Sequence, residues 1–487
     1  MPFRDLREFI RHLEAHGQLK RISASVSRDL EITEITSRVS KGPREHNKAL
    51  LFEHVEGFDI PLAINLFGSE WRMAAALGVE NLEALNHRLA KLLDFRMPDG
   101  VGSVVARGMD VLAALKSVGV GPSVSRSGPC QQVVVTGNPN VNMLPVLQCW
   151  PDDGGRFITL MQVITRDSES GARNVGMYRL QLLDDRRLAM HWQRHKGGAE
   201  HERRARAAGQ RIPAAVVLGG DPASMWAASA PLPPDIDEYL LAGWLRGKPV
   251  QFVQCISQPL QVPAQAEFIL EGYVDPQDQV SEGPFGDHTG YYTPVESFPA
   301  FHITAITHRR DPIFPSSVVG IPPMEDAFMG LATERLFLPL LRLFLPEVID
   351  YHMPPEGVFH NLVIVKIRKR YPGHARKVMH GIWGLGLLML AKAIVVVDEW
   401  VDIHDPAQVA WQALGNVDWK RDALLVEGPV DHLDHAARAH SFGGKIGIDA
   451  TAKGLEDGHP RGWPEVARMS AQVQRLVDEK WDEYGLE

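Results

Sequence analysis

The stretch SEGPFGDHTGYY, residues 281–292, sets Glu282 and Asp287 five residues apart across a Gly-Pro-Phe-Gly turn. Two carboxyls on a rigid turn can divide acid and base work when their surroundings push their pKa values apart. The plainer reading is a solvated turn with an aspartate cap on the next strand. Three other stretches carry reactive groups. In RNVGMYRLQ, residues 173–181, strand alternation puts Val175, Met177 and Arg179 on one face and Asn174, Gly176 and Tyr178 on the other. An arginine there could grip a carboxylate or phosphate with its bidentate fork, or simply sit on a barrel rim. MHWQRHKGGAEH, residues 190–201, reads as a strand ending in a basic, glycine-rich bend. Backbone N–H groups at such a bend, beside Lys196, suit a phosphate. His191 and His195 are candidate metal ligands, although a single histidine is more often structural and no HExxH spacing occurs. GGKIGIDATAK, residues 443–453, has the look of an anion-binding bend but lacks the GxxxxGK[ST] spacing of a P-loop.

A chain of 487 residues exceeds one hydrophobic core, so two or three domains must position these groups. The net charge of −9 argues against a general nucleic-acid surface. Three scattered cysteines, Cys130, Cys149 and Cys255, give neither a disulfide framework nor a zinc spacing, which fits a reducing, cytoplasmic setting. The N-terminus is charged and helical in pattern, without the apolar core of a signal peptide. The apolar run 379–397 is broken by Lys392 and reads as a helix running into a buried strand.

Leu6, Phe9, Ile10 and Leu13 form a helical stripe, and the first 100 residues or so alternate helices and strands. From Gln131 short β-branched and aromatic runs, punctuated by Gly, Pro and Asp, suggest a β-barrel or sandwich interrupted by a helix at 236–247. Beyond residue 312, FMGLATERLFLPLLRLFLPEV reads as an apolar helix pair, and NLVIVKI and AIVVVDEWVDI as buried strands joined by a crossover helix. Val466, Met469, Val473, Leu476 and Trp481 make a C-terminal stripe that must dock, plausibly on another subunit. The fold class is therefore α/β (α+β). Expected boundaries are an N-terminal α/β domain over 1–125, a central domain over 126–311, and a C-terminal α/β domain with a docking helix over 312–487.

LREFIRHLEAHGQLKRI, LEITEI, PCQQ, NVGMYR, EFILEGY, EGPFGDHTGYY, PPEG, YPGHARKVM and IDAT occur in order along nearly the whole chain. Together they resemble the UbiD decarboxylases, in particular those acting on 4-hydroxy-3-polyprenylbenzoate in ubiquinone synthesis. The resemblance implies a central split β-barrel that binds prenylated FMN with Mn²⁺, and with K⁺ as a further candidate ion. Asn174, His195 and Glu238 match the metal ligands, an oxygen and nitrogen set suited to a hard divalent ion. Met177, Tyr178, Arg179, His191, Trp192, Gln193, Lys196, Gly197 and Lys392 match cofactor contacts; His191-Trp192-Gln193 stands where relatives carry Arg-Trp-Leu. The resemblance makes Asp287 the proton donor, working with Glu282 and Arg179, and it accounts for the loop glycines by close approach of backbone to flavin. The modified flavin is an electron sink for the electrons that CO₂ leaves behind. Also implied are a flavin prenyltransferase as cofactor supplier, a homo-oligomer (a dimer or a trimer of dimers) and peripheral association with the inner membrane. Residues 334–348 could line an approach for a prenyl tail; more simply, they form a packed core helix. A small phenolic acid is the alternative substrate, and an ordinary FMN reductase the remote alternative activity.

Overall fold

Leu6, Phe9, Ile10 and Leu13 are all buried on one side of helix Leu6–Ala15. Asp5 caps it, accepting a hydrogen bond from the Glu8 N–H at 3.0 Å. The computed structural model describes residues 3–94, 114, 116, 123–194, 196–233 and 236–486. Strands Leu19–Val26 and Ala49–Val55 pair in parallel, with helix Glu31–Lys41 between them in the chain. Leu62–Ile64 adds an antiparallel neighbour, and Phe314–Pro315, from far along the chain, pairs in parallel with Leu62–Ile64 to complete a four-stranded sheet.

The β-rich middle forms a nine-stranded sheet whose pairings are all antiparallel. It curls into a half-barrel around a core that includes Val163, Leu188, Val216, Phe268, Leu270 and Phe301. Its centre is one long hairpin, Phe268–Glu282 with Glu296–His308, bulged between Asp275 and Gln279. The stretch SEGPFGDHTGYY is the tip of this hairpin. Helices Gly197–Ala208, Pro222–Ala227 and Glu238–Arg246 flank the sheet. The first of these begins where the sequence reads as a bend. Its opening Gly-Gly hides it, and its polar face is instead supported by Glu200–Arg204 and Glu202–Arg206 pairs one turn apart.

The C-terminal sheet runs Val348–His352, Leu362–Ile367, Ala393–Asp398, Phe442–Asp449, Ala423–Pro429, parallel in its middle and antiparallel at both edges. Helix His374–Trp383 crosses between the second and third of these strands, as expected, and the apolar run that follows is a short 3₁₀ turn leading into strand Ala393–Asp398. The expected apolar helix pair is a single helix, Glu325–Phe344, with Pro339 inside it. Leu338, Pro339 and Leu341 are buried on both sides of the proline, so packing outweighs the hydrogen bond the ring removes. Helix Ala471–Glu479, capped by Ser470, leaves Val473 and Leu476 exposed at 37% and 48%, and Trp481, in the 3₁₀ turn that follows, is exposed at 49%. Among the described residues no helix is long and apolar enough to cross a membrane.

Candidate active site

Glu282 ends its strand directly opposite Glu296. Like charges facing across a ladder repel, and the two carboxylates turn to different partners. Glu296 Oε2 lies 2.9 Å from His432 Nε2, whereas Glu282 accepts from Arg179 Nε at 2.7 Å, from Arg179 Nη2 at 3.1 Å and meets His191 Nδ1 at 3.2 Å. Beyond Glu282, Phe285–Gly286 pairs with Tyr292–Thr293 and closes the tip. Gly283 sits at φ +99°, a conformation that favours glycine, and a Cβ on Gly286 would lie 2.2 Å from the Trp150 ring. At Gly286, therefore, it is Trp150 that demands glycine, where the sequence pointed to a flavin.

The tip aims Asp287 back at Arg179, whose Nη1 donates to Asp287 Oδ2 and whose Nη2 donates to Thr293 Oγ1 at 3.2 Å. Arg179 also lies over the Phe285 ring, 4.7 Å from its centre. The arginine reaches this place because strand alternation stops at Gly176. Met177 N–H leaves the ladder to donate to the Ala228 carbonyl at 2.9 Å, and the chain rejoins the sheet only at Leu180–Leu182. Met177, Tyr178 and Arg179 consequently all face one cavity, in place of the alternating faces the pattern predicts.

Glu282 and Asp287 are buried, with Arg179 almost so. Burial raises the Glu282 carboxyl, but His191 and Arg179 outweigh it and bring it down to about 2. Asp287 follows the same logic: burial raises it, while His288 and Arg179 hold it well below the usual carboxylate range. His191 is lowered by burial and by the Arg179 charge. Both carboxyls are thus ionised at neutral pH.

These groups lie on the wall of an elongated cavity of about 560 Å³, lined mainly by apolar surface. Met177, Tyr178, Arg179, His191, Gln193, Lys196 and Asp287 line it. Trp192 and Gly197 lie just behind that wall. The Trp192 ring meets Tyr178 edge-on at 4.8 Å, and Gly197 opens helix Gly197–Ala208. Glu282 is reached through Arg179. Lys392 does not line the cavity: its Nζ pairs with Asp434 Oδ1 at 2.9 Å, so that lysine is partnered by an acid where the resemblance makes it a cofactor contact.

The residues present fit a flavin phosphate and a divalent ion. Lys196 stands beside the N-terminus of a 12-residue helix, over the Tyr178 ring, and Asp431 and Glu238 act on its charge without closing a salt bridge. Such a helix start with an adjacent cation suits a phosphate. Buried His191 Nε2 and Trp192 Nε1 have no hydrogen-bond partner; with the Nδ1–H of a neutral His191 on Glu282, its Nε2 is an acceptor and Trp192 Nε1 a donor, both open to a bound group. Asn174 and Glu238 converge near Val175: the Val175 N–H donates to Glu238 Oε2 at 2.8 Å, and the Asn174 amide lies against the Cα of Gly197. Burial pushes the Glu238 carboxyl up to about 7. Asn174 and Glu238 are hard oxygen donors. The third expected ligand, His195, lies outside the described residues.

Sequence reasoning missed several groups here. His288 follows Asp287 within the quoted motif, and its meaning emerges only when its ring meets His360, 72 residues away, at 3.0 Å. Asp326, at the start of helix Glu325–Phe344, also lines the cavity, and burial pushes it up to about 7. His191, expected as a metal ligand or cofactor contact, meets the Glu282 carboxylate with its Nδ1.

Comparison with known proteins places this architecture. Three family profiles match in succession: the N-terminal domain of 3-octaprenyl-4-hydroxybenzoate carboxy-lyase over residues 10–92, its Rift-related domain over 123–322 and its C-terminal domain over 327–450. An uncharacterized protein of Aquifex aeolicus is 50% identical over 100% of this chain and 99% of its own. One from Archaeoglobus fulgidus is 48% identical over 99% of each. Among solved structures, vanillic acid decarboxylase of Sedimentibacter hydroxybenzoicus in its closed form is 27% identical, with TM-score 0.87 and 100% of both chains covered. The UbiD-class enzyme HmfF of Pelotomaculum thermopropionicum in complex with FMN is 28% identical, with TM-score 0.79 over 97% of this chain and 99% of that one. An evolved dimeric form of HmfF in complex with prFMN is 27% identical, with TM-score 0.77 over 98% and 100%. With three domain profiles of one family matching in succession along the chain and solved UbiD-class enzymes sharing its fold over nearly their whole length, this chain belongs to the UbiD family of carboxy-lyases.

Proposed function

We propose that the chain decarboxylates an aromatic acid with prenylated FMN, and that its substrate is a 4-hydroxybenzoate bearing an apolar prenyl tail, as in ubiquinone biosynthesis. The observation that carries the reading is the position of Arg179, held between Glu282 and Asp287 on the wall of an apolar cavity. When bound, prenylated FMN supplies the electron sink for the pair left by departing CO₂. Lys196 and the N-terminus of helix Gly197–Ala208 would hold its phosphate, with Asn174, Glu238 and His195 holding a Mn²⁺ ion beside it. Tyr178 and Met177 would face its rings. Arg179 orients the substrate carboxylate and keeps Glu282 ionised. Asp287 delivers a proton to the ring carbon that lost CO₂, and the apolar wall keeps water from competing for that site.

The tail reading rests on helix Glu325–Phe344. Met329, Thr333, Phe337, Leu340 and Phe344 recur at helical spacing and line the cavity out to its mouth, where Phe344 is 65% exposed. Leu336 and Leu338 are buried in the protein, so one helix serves both as core and as cavity wall. The small-acid reading is favoured by the solved vanillic acid decarboxylase, which matches over its whole length. A flavin prenyltransferase would supply the cofactor, the exposed C-terminal stripe would join two copies of the chain, and a cytoplasmic protein touching the inner membrane would meet a tailed acid there.

The test is to co-express the chain with a flavin prenyltransferase and assay 4-hydroxybenzoates with and without a tail. Decarboxylation of the tailed acid with higher kcat/KM is expected. Asp287→Asn should retain the flavin and lose about 100-fold or more in turnover; near-normal turnover would reject Asp287 as donor.

A further inference from the structure

Decarboxylation exchanges CO₂ for hydrogen: RCO₂⁻ + H⁺ gives RH + CO₂. Each turnover therefore consumes one proton. Asp287, pinned by Arg179, is ionised at rest and has no proton to give. Its neighbour does. Asp287 Oδ1 lies 2.8 Å from His288 Nδ1 and accepts from the His288 backbone N–H at 2.7 Å. The other ring nitrogen, His288 Nε2, lies 3.0 Å from His360 Nε2. Two imidazole nitrogens at that distance must share one proton. With Nδ1–H on the carboxylate and His360 Nε2 as acceptor, His288 can hold an imidazolium with both donors satisfied.

The fold works to keep His360 there. It is carried by the loop after Pro355–Gly357, where Val358 and Phe359 adopt φ of +54° and +43°. A β-branched residue in that region is strained and persists only where its surroundings fix it. Phe359 packs on the His288 ring, 5.4 Å between centres, and lies so close to helix Glu325–Phe344 that a Cβ on Gly330 would come within 3.1 Å of it. The titratable groups facing His288 are Asp287 on its own loop, Asp326 on helix Glu325–Phe344, Asp431 on the loop following strand Ala423–Pro429, and His360. Burial lowers His288, but the acids, Asp287 foremost, raise it above its ordinary value; burial and the charge on His288 bring His360 down to about 4. Of the two rings, His288 is the one that holds a proton more readily.

Resting on the decarboxylase reading above, we infer that His288 stores the proton that Asp287 delivers to the product, and that His360 orients His288 for the transfer by accepting its Nε2–H. The His288 Nδ1–H bond breaks as an Asp287 Oδ1–H bond forms. The carboxylic acid then gives that proton to the electron pair on the ring carbon, forming C–H and restoring the carboxylate. His288, left neutral, takes a proton from solvent at Nδ1 once product leaves the cavity it lines. His288 and His360 act through Asp287, so both are positioning residues.

The experiment uses full-length holoenzyme made with a prenyltransferase. In the wild type, kcat should fall as pH rises through the raised His288 pKa. His288→Gln, which keeps an N–H donor but no titrating proton, should lower kcat by about 100-fold and abolish that alkaline limb, with KM changed by less than about threefold. His360→Leu should move the limb to lower pH, and His360→Gln, which keeps an acceptor, should restore it. A second readout needs no cofactor: ¹³Cε1-histidine NMR of the flavin-free protein should show His288 titrating above the ordinary value of about 6.5, and lower in His360→Leu. His288 titrating at or below that value, or His288→Gln retaining wild-type kcat and limb, overturns the inference. Failure of the loaded wild type to turn over any aromatic acid overturns the decarboxylase reading itself, a different outcome from an active wild type matched by its variants.

Discussion

Replacing Glu282 by glutamine tests whether the Arg179 cluster fastens the hairpin tip to the half-barrel. Glu282 is fully buried and meets three donors, Arg179 Nε, Arg179 Nη2 and His191 Nδ1. An amide turns one acceptor into a donor facing a donor and leaves Arg179 with Asp287 alone. Burial raises the Glu282 carboxyl and its partners more than reverse this, to about 2 against an ordinary 4.5. The difference between 4.5 and 2, at about 1.36 kcal/mol for each pH unit, amounts to about 3 kcal/mol. Breaking a buried pair by removing one partner costs about 3–5 kcal/mol, which agrees. Because the folded pKa is the depressed one, the contribution is complete above the unfolded pKa of 4.5 and is lost as pH falls through 2. Roughly half remains near pH 3. Hydrogen exchange of peptides covering Phe268–Glu282 and Glu296–His308 reads the opening free energy of this hairpin directly. At neutral pH the variant should open about 3 kcal/mol more easily than wild type, and the gap should close on acidification. A gap under about 1 kcal/mol at neutral pH, or one that does not change down to pH 3, would refute the claim that ion pairing holds the tip.

Three further outcomes follow from the geometry. Gly198→Ala would place a Cβ 2.4 Å from the Trp192 ring and 2.9 Å from the Tyr178 hydroxyl; the overpacking, about 1–3 kcal/mol, should weaken flavin binding by about 10- to 100-fold in a fluorescence titration. Phe344→Asp, at the cavity mouth, should lower kcat/KM more for a tailed 4-hydroxybenzoate than for an untailed one; equal losses would count against a tail channel. Leu476→Asp, in the exposed C-terminal stripe, should shift the chain toward monomer in light scattering, since each apolar side chain there contributes about 1.5–3 kcal/mol when covered.

The order of elements was legible because strand and helix periods are local. The stripe on Leu6–Ala15, the short β runs of the middle and the crossover helix His374–Trp383 follow from spacing alone. Two failures were local as well. A Gly-Gly start concealed helix Gly197–Ala208, and Pro339 divided on paper a helix that burial keeps whole. The site was legible in a different way. Glu282, Asp287 and Arg179 could be named from motifs, but their meeting depends on register: strand Phe268–Glu282 must pair with Glu296–His308, and the chain must leave the ladder at Met177. His360 lies beyond such reading, since its role depends on two left-handed residues that no propensity favours.

The charges of the cluster explain why these residues belong together. With His288 protonated, as inferred above, Arg179 and His288 balance Glu282 and Asp287, and the buried tip is neutral at rest. A bound substrate carboxylate then adds one negative charge, which the forked guanidinium and Lys196 are placed to meet. Losing CO₂ moves that charge onto the ring carbon, and taking the stored proton moves it on to the cluster. At no point during these steps does the net charge of the cavity change, and in a site of low dielectric a change would be the costly event. Proton uptake from solvent, which returns the total to its resting value, falls after product has left and water can enter. A lone aspartate beside Arg179 could not achieve this, because the proton it needs would have to arrive with the substrate in place. The adjacency of Asp287 and His288 in sequence is on this argument a requirement of the chemistry, and the His360 loop is what makes the pair hold its proton.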